Sequence, residues 1–272
     1  MLLRSNRVRV DIPVGYAEFP DFAFGVADTD IPCGGFLSLI PNKYDLRLPE
    51  IAFHIQDPIV RETYGISDSA ERFLIAAGTD AAGMLRFYHR MGVTHTFPHW
   101  MNFKVGVLDE DFKAWYALQD GHDTPATTIC DLDACCYPNQ DNHIFLANAM
   151  NDLEVFLNFP LVFNAESIRE EESDRPDYDD VRRYHALMQG LKGRHPMLRG
   201  LASEVMAAYF DTNPTDPRIS TIDPSAFTHW AESSQRIWEW NEEGMSFLLR
   251  QMYDLGTRGY TMKPFNPDEL RY

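Results

Sequence analysis

The residues best suited to chemistry crowd into one stretch, TTICDLDACCYPNQDNHIFLANAM (127–150), which holds Cys130, Cys135 and Cys136, three of the four cysteines. A thiolate is both a nucleophile and a soft metal ligand, so each cysteine is a candidate. None has the C-x-x-C spacing of a zinc site. Consecutive Cys135 and Cys136 on an extended backbone point to opposite faces and cannot share one ion. Asp131 and Asp133 do share a face, and a D-x-D pair can hold Mg²⁺ or Mn²⁺ between two carboxylates. The pattern recurs at Asp28-x-Asp30, as expected by chance in a chain with 41 acidic residues. HTFPH (95–99) sets His95 and His99 at the spacing that lets a helix offer two imidazoles to one metal, but Pro98 would lie inside that helix. The plainer expectation is packed thiols, solvated aspartates and loop histidines, with no cofactor and no resident metal. The chain has no G-x-G-x-x-G, G-x-x-x-x-G-K-[ST], G-x-S-x-G or H-E-x-x-H.

The elements that would position these groups follow from the turn cluster PNQDN (138–142). Folding the flanks about it, with Tyr137 opposite His143, predicts a β-hairpin. One face then carries Cys130, Leu132, Ala134, Cys136, Ile144, Leu146 and Met150, and this nearly apolar set is assigned to the core. Asp131, Asp133 and Cys135 fall on the other face.

Upstream, Pro13, Pro20, Pro32, Pro41, Pro49 and Pro58 preclude long helices. RVRVDIPV (7–14) and GGFLSLI (34–40) read as strands, the first an edge strand because Pro13 lacks a donor. Asp68 and Glu71 form a capping box for a helix bearing Phe73, Leu74, Ala77, Leu85 and Tyr88, with Gly78 and Gly83 as points of division. MNFKVGVL (101–108) reads as a strand, and FKAWYAL (112–118) as a further one. An acidic run over 166–183 leads to a helix capped by Asp177, and Pro196 starts another with Leu198, Leu201, Val205 and Tyr209 on one side. From Asp223 to Gly256 the caps and the spacing of Phe227, Trp230, Ile237, Leu248 and Met252 predict a helix about 50 Å long at ~1.5 Å per residue. The last segment, TRGYTMKPFNPDELRY (257–272), reads as an extended arm.

These elements define an α+β chain. A mainly antiparallel β portion with one or two helices spans 1–165. A helical portion over 166–272 ends in the long amphipathic helix and the arm, as a second domain or a continuation of the first. A formal charge of −17 opposes a nucleic-acid groove and an anionic membrane surface alike. No stretch approaches the ~20 apolar residues that span a bilayer, the N-terminal residues lack a signal peptide's apolar core, and four scattered cysteines suit synthesis in a reducing cytoplasm.

One family resemblance attaches to the cysteine stretch. Cys130, the hairpin, Asn151-Asp152 and EVFLNFPLVFN (154–164) follow one another at spacings similar to those in thymidylate synthases and the related pyrimidine hydroxymethylases, and TYG (63–65) resembles another of their motifs. The resemblance implies that Cys130 attacks a pyrimidine ring while Asp152 and Asn164 orient the base. Met150-Asn151 stands where that family carries the Arg-Ser pair that grips the nucleotide phosphate. The chain offers no convergent polar site, a proline-punctuated N-terminal half, a long aromatic helix and a terminal arm. It therefore reads first as a non-enzymatic structural, assembly or interaction protein, such as a subunit of a virus particle or other large complex. Its protein partners, or further copies of itself, would meet the 223–256 helix face and the 257–272 arm. The alternative is a diverged thymidylate synthase or pyrimidine hydroxymethylase-like enzyme.

Overall fold

The computed structural model describes residues 9–26, 29–40, 42–44, 46–66, 69–90, 92–119, 121–132, 135, 142–162 and 195–216. Asp28, Asp68, Asp133, Cys136, Asn164, the acidic run with its following helix, the 223–256 helix and the 257–272 arm lie outside them. The described part is α+β, with antiparallel strands in the N-terminal half and helices around and after them.

Two sheets form. Strands β1 (Ile12–Val26) and β2 (Thr29–Leu39) pair into an antiparallel hairpin. Its register shifts between Pro13 and Gly15 and again between Phe19 and Ala23. The second shift spans Pro20, which has no N–H to give a ladder. The second sheet is small and central. Strands β3 (Phe103–Gly106) and β4 (Ala126–Ile129) pair antiparallel, with Phe103 opposite Ile129. Val10 bridges Ile129 on one flank and Arg47 bridges Lys104 on the other. Every residue of β3 and β4 is buried, so the sheet is covered on both faces. Its buried polar side chains are paired: Lys104 Nζ lies 3.1 Å from Asp11, and Thr127 Oγ1 donates to Asp80 at 2.7 Å.

Short helices α1 (Leu48–His54) and α2 (Pro58–Thr63) lead to the main helix, α3 (Ala70–Arg90). Its cap is Ser69, whose hydroxyl accepts the Arg72 N–H at 3.4 Å and donates to Glu71 at 2.8 Å. The helix runs unbroken through Gly78 and Gly83. Gly78 is needed for packing, since a Cβ there would sit 2.7 Å from the Trp100 ring. Trp100, in a 3₁₀ turn just before β3, stacks on Phe159 with ring centroids 4.6 Å apart. After a 3₁₀ turn at Pro196–Gly200, the last described helix, α6 (Leu201–Phe210), packs along α3. Leu198, Leu201, Val205 and Tyr209 are all buried, as their spacing predicts.

Two expected strands are helices. The segment 112–118 begins inside α4 (Glu110–Trp115), where the Asp109 carboxylate caps the helix by accepting the Phe112 N–H at 2.8 Å. Phe112 and Tyr116 are buried while Ala114 and Trp115 between them are exposed, a helical period rather than a period of two. The hairpin expected over 130–150 is also absent, because residues 142–162 form helix α5 (Asn142–Val162). Eight alternating residues after His143 suit either structure, and the longer window decides. Ala149, Leu153, Phe156 and Pro160 recur at helical spacing and are buried, and residues 152–157 are buried without a break. Such a helix is apolar nearly all round, which hides its period. The facing assigned to Ile144, Leu146 and Met150 falls with the hairpin. Cys130 is nonetheless buried and Asp131 exposed, as expected. Among the described residues no helix is long and apolar enough to cross a membrane.

Candidate functional site

Cys130 follows β4 directly and faces Asn102, the residue before β3. Its N–H and its thiol both donate to the Asn102 carbonyl, at 3.0 and 3.3 Å. Arg47, entering α1, places Nη1 2.6 Å from Sγ and 2.9 Å from the Met101 carbonyl. Cations thus stand beside the sulfur, but no open cleft does, since Cys130 is 5% exposed. Burial pushes the thiol above its ordinary range; Arg47 and Lys104 oppose this, and the Asp11 and Asp131 charges add to it. The group is a neutral thiol near pH 7.

Asp131 lies in the left-handed region at φ 61°, which turns its carboxylate back to accept the Asn102 amide at 3.1 Å. Asp131 is therefore half of the proposed D-x-D metal pair and is tied to a neighbour, while Asp133 lies outside the described residues. His95 and His99 do not form a metal pair either. The His95 Nε2–H donates to the Cys130 carbonyl at 2.8 Å, and Nδ1 accepts the Phe97 N–H at 3.4 Å, so both ring nitrogens are engaged. His99 packs edge-on against Phe97. Burial lowers its pKa below the ordinary imidazole value, with the Asp131 charge opposing and those of His95 and Arg47 reinforcing. Among the described residues no three His, Cys, Asp or Glu side chains are grouped to hold a metal ion.

Behind Cys130 runs a buried polar network. Asp152, on α5, is 0% exposed. It accepts the backbone N–H of His95 at 2.6 Å and of Thr96 at 2.7 Å, and the His89 Nε2–H at 3.0 Å. With Nε2–H given to the carboxylate, His89 Nδ1 is left to accept the Tyr209 hydroxyl at 2.6 Å. Thr96 takes φ 72° at this junction, uncommon for a β-branched residue. Its carbonyl accepts the Asn151 amide at 2.9 Å. Side chains from α3, α5 and α6 and the 95–102 loop are thereby tied to the end of β4.

The two residues that the pyrimidine-enzyme resemblance singles out within the described part, Cys130 and Asp152, are thus linked through His95. Asp152 spends its oxygens inside the protein, so a base could reach it only if this network opened. Asn164 lies outside the described residues. Sequence reasoning missed His89 and placed Tyr209 only as part of the packed face of its helix, not as a hydrogen-bonding partner. The available signal was a polar residue among the apolar positions of α3, next to Tyr88 and four after Leu85. No protein-family model, curated protein or solved structure matches this chain.

Proposed function

We propose that the chain is a non-enzymatic assembly subunit that joins protein chains, copies of itself first, through the β1–β2 hairpin. One observation carries this reading. Among the described residues the hairpin is a sheet of two strands only, so both outer edges are unpaired, and it packs extensively on no other element. Near its base Val14, Tyr16 and Leu37 are 57%, 71% and 67% exposed. A two-stranded sheet is marginal alone in water and gains stability from a third strand or a packed surface. Unpaired edges and exposed apolar side chains recruit such surfaces. A virus particle or another large complex is a fitting setting, with the 223–256 helix face and the 257–272 arm as further proposed contacts. The charge of −17 argues against nucleic acid or an anionic membrane as the direct partner.

Sedimentation velocity over a concentration series tests the reading. The wild-type chain should form larger species as concentration rises. Tyr16→Asp/Leu37→Asp should stay monomeric with an unchanged circular-dichroism spectrum. A wild type that remains monomeric to its solubility limit defeats the proposal.

A second reading, an enzyme acting on a pyrimidine nucleotide through Cys130, draws on the Arg47 guanidinium beside Sγ. Burial of the thiol and engagement of Asp152 weigh against it.

A further inference from the structure

We propose that the hairpin of one copy seats in an arginine-lined pocket on the body of the next. The inference rests on the assembly reading above and names the surface that receives the arm. An open pocket of about 720 Å³ lies between the C-terminal half of α3, the turn around 117–122 and the residue after α6. That volume lies within the ~300–1,000 Å³ typical of binding pockets. Arg9, Arg86, Arg90 and His122 line it, with Asp80 and Asp211 as its acids. Three arginines against two aspartates leave one positive charge in surplus before His122 is counted. The chain as a whole has 41 acidic residues against 24 Lys and Arg.

The acids are already committed. Asp80 Oδ2 accepts both the N–H and the hydroxyl of Thr127, each at 2.7 Å, and pairs with Arg9. Asp211 pairs with Arg86 at 2.9 Å, and that guanidinium holds its carboxyl below the usual range. Phe87 and Leu118 give the pocket an apolar wall.

The hairpin has the opposite character. Residues 12–39 include Glu18, Asp21, Asp28 and Asp30 and no Lys or Arg, interspersed with one tyrosine and four phenylalanines. An acidic, aromatic ribbon matches a pocket with cationic heads and an apolar wall in both charge and surface type. Among the described residues the hairpin packs extensively on no other element, which leaves it available to a second copy. Arm and pocket are different surfaces. The contact therefore closes a two-fold dimer where two copies exchange arms reciprocally, and builds a ring or a filament where they do not.

The decisive experiment mixes two crippled chains. Arg90→Glu reverses an exposed charge in the pocket, and Tyr16→Asp/Leu37→Asp cripples the arm. Each alone should associate about tenfold or more weakly than wild type, a typical loss for a rim-to-core charge or anchor change. Arg90→Lys, which keeps the charge, should retain association. Mixed at equal concentration, the two crippled chains retain one intact arm and one intact pocket between them. They should form a 1:1 dimer by sedimentation equilibrium that grows no further. Association of Arg90→Glu at wild-type strength, or absence of the mixed dimer, overturns the hairpin-in-pocket contact while leaving self-assembly intact. Absence of association in the wild type overturns both.

Discussion

At Cys130 a guanidinium and a dry environment pull the thiol in opposite directions. Arg47 favours the thiolate, but removing Sγ from water penalises the charge more, and the nearby Asp11 and Asp131 carboxylates deepen that penalty. The folded protein thus holds the Cys130 proton more tightly than the unfolded chain does. That preference stabilises the fold fully below the ordinary thiol value and is lost as pH rises through the higher folded value. Alkylation of Cys130 by iodoacetamide in native protein should accordingly be at least tenfold slower than in urea at pH 8, near the ordinary thiol value. It should accelerate only above about pH 9, as the alkaline fold loosens. Rapid native alkylation at pH 7, suppressed by a pyrimidine nucleotide, would instead favour the enzymatic reading. The sequence put this thiol in the core through the facing of a hairpin whose second strand is helix α5, so its burial was expected on a register that does not form. Its surroundings were not legible. His89, Asp152 and Tyr209 come together from positions 63 and 120 residues apart, and no local pattern encodes that convergence.

Two glycines in α3 separate helix propensity from packing. In a helix interior, Gly→Ala ordinarily gains about 1 kcal/mol. At Gly83 no described residue beyond the helix's own backbone comes within 4 Å of where a Cβ would sit, so Gly83→Ala should stabilise by about that amount. At Gly78 the added methyl would meet Trp100 at 2.7 Å and Val205 at 3.3 Å. Trp100 is fully packed, so overpacking of about 1–3 kcal/mol offsets or exceeds the gain, and Gly78→Ala should be destabilising. Urea denaturation of both variants reads the signs directly; the same sign at both sites would mean that Trp100 does not abut α3. The sequence marked these glycines as points of division, because it shows the propensity cost and not the indole that Gly78 accommodates. Where an element carried a start signal and a helical period, as α3 does after Ser69 and α6 does after Pro196, its type was legible. Where burial hid the period, as in α5, or the helix was shorter than two turns, as in α4, strand and helix were indistinguishable from local pattern.

On the scale of the whole molecule, assembly has to overcome the repulsion of bodies that each carry a charge of −17. The reach of that repulsion depends on salt, with a screening length of about 30 Å at 0.01 M and about 8 Å at 0.15 M. The β1 arm spans 15 residues, or roughly 50 Å at ~3.3 Å per residue before its bulges shorten it. Two bodies joined through such an arm still feel each other's net charge at low salt and scarcely do so at physiological salt. The contact itself combines apolar burial, which salt does not weaken, with charge pairing at short range, which screening reduces less than it reduces long-range repulsion. The net expectation is association that strengthens as ionic strength rises from 0.01 to 0.15 M, the reverse of what a protein held to nucleic acid by its phosphates shows. Sedimentation velocity of the wild-type chain at the two salt concentrations measures this. Association that instead weakens over that interval would mean that local ion pairs at the arginine pocket dominate the field of the whole molecule, and that the apolar side chains of the arm contribute little.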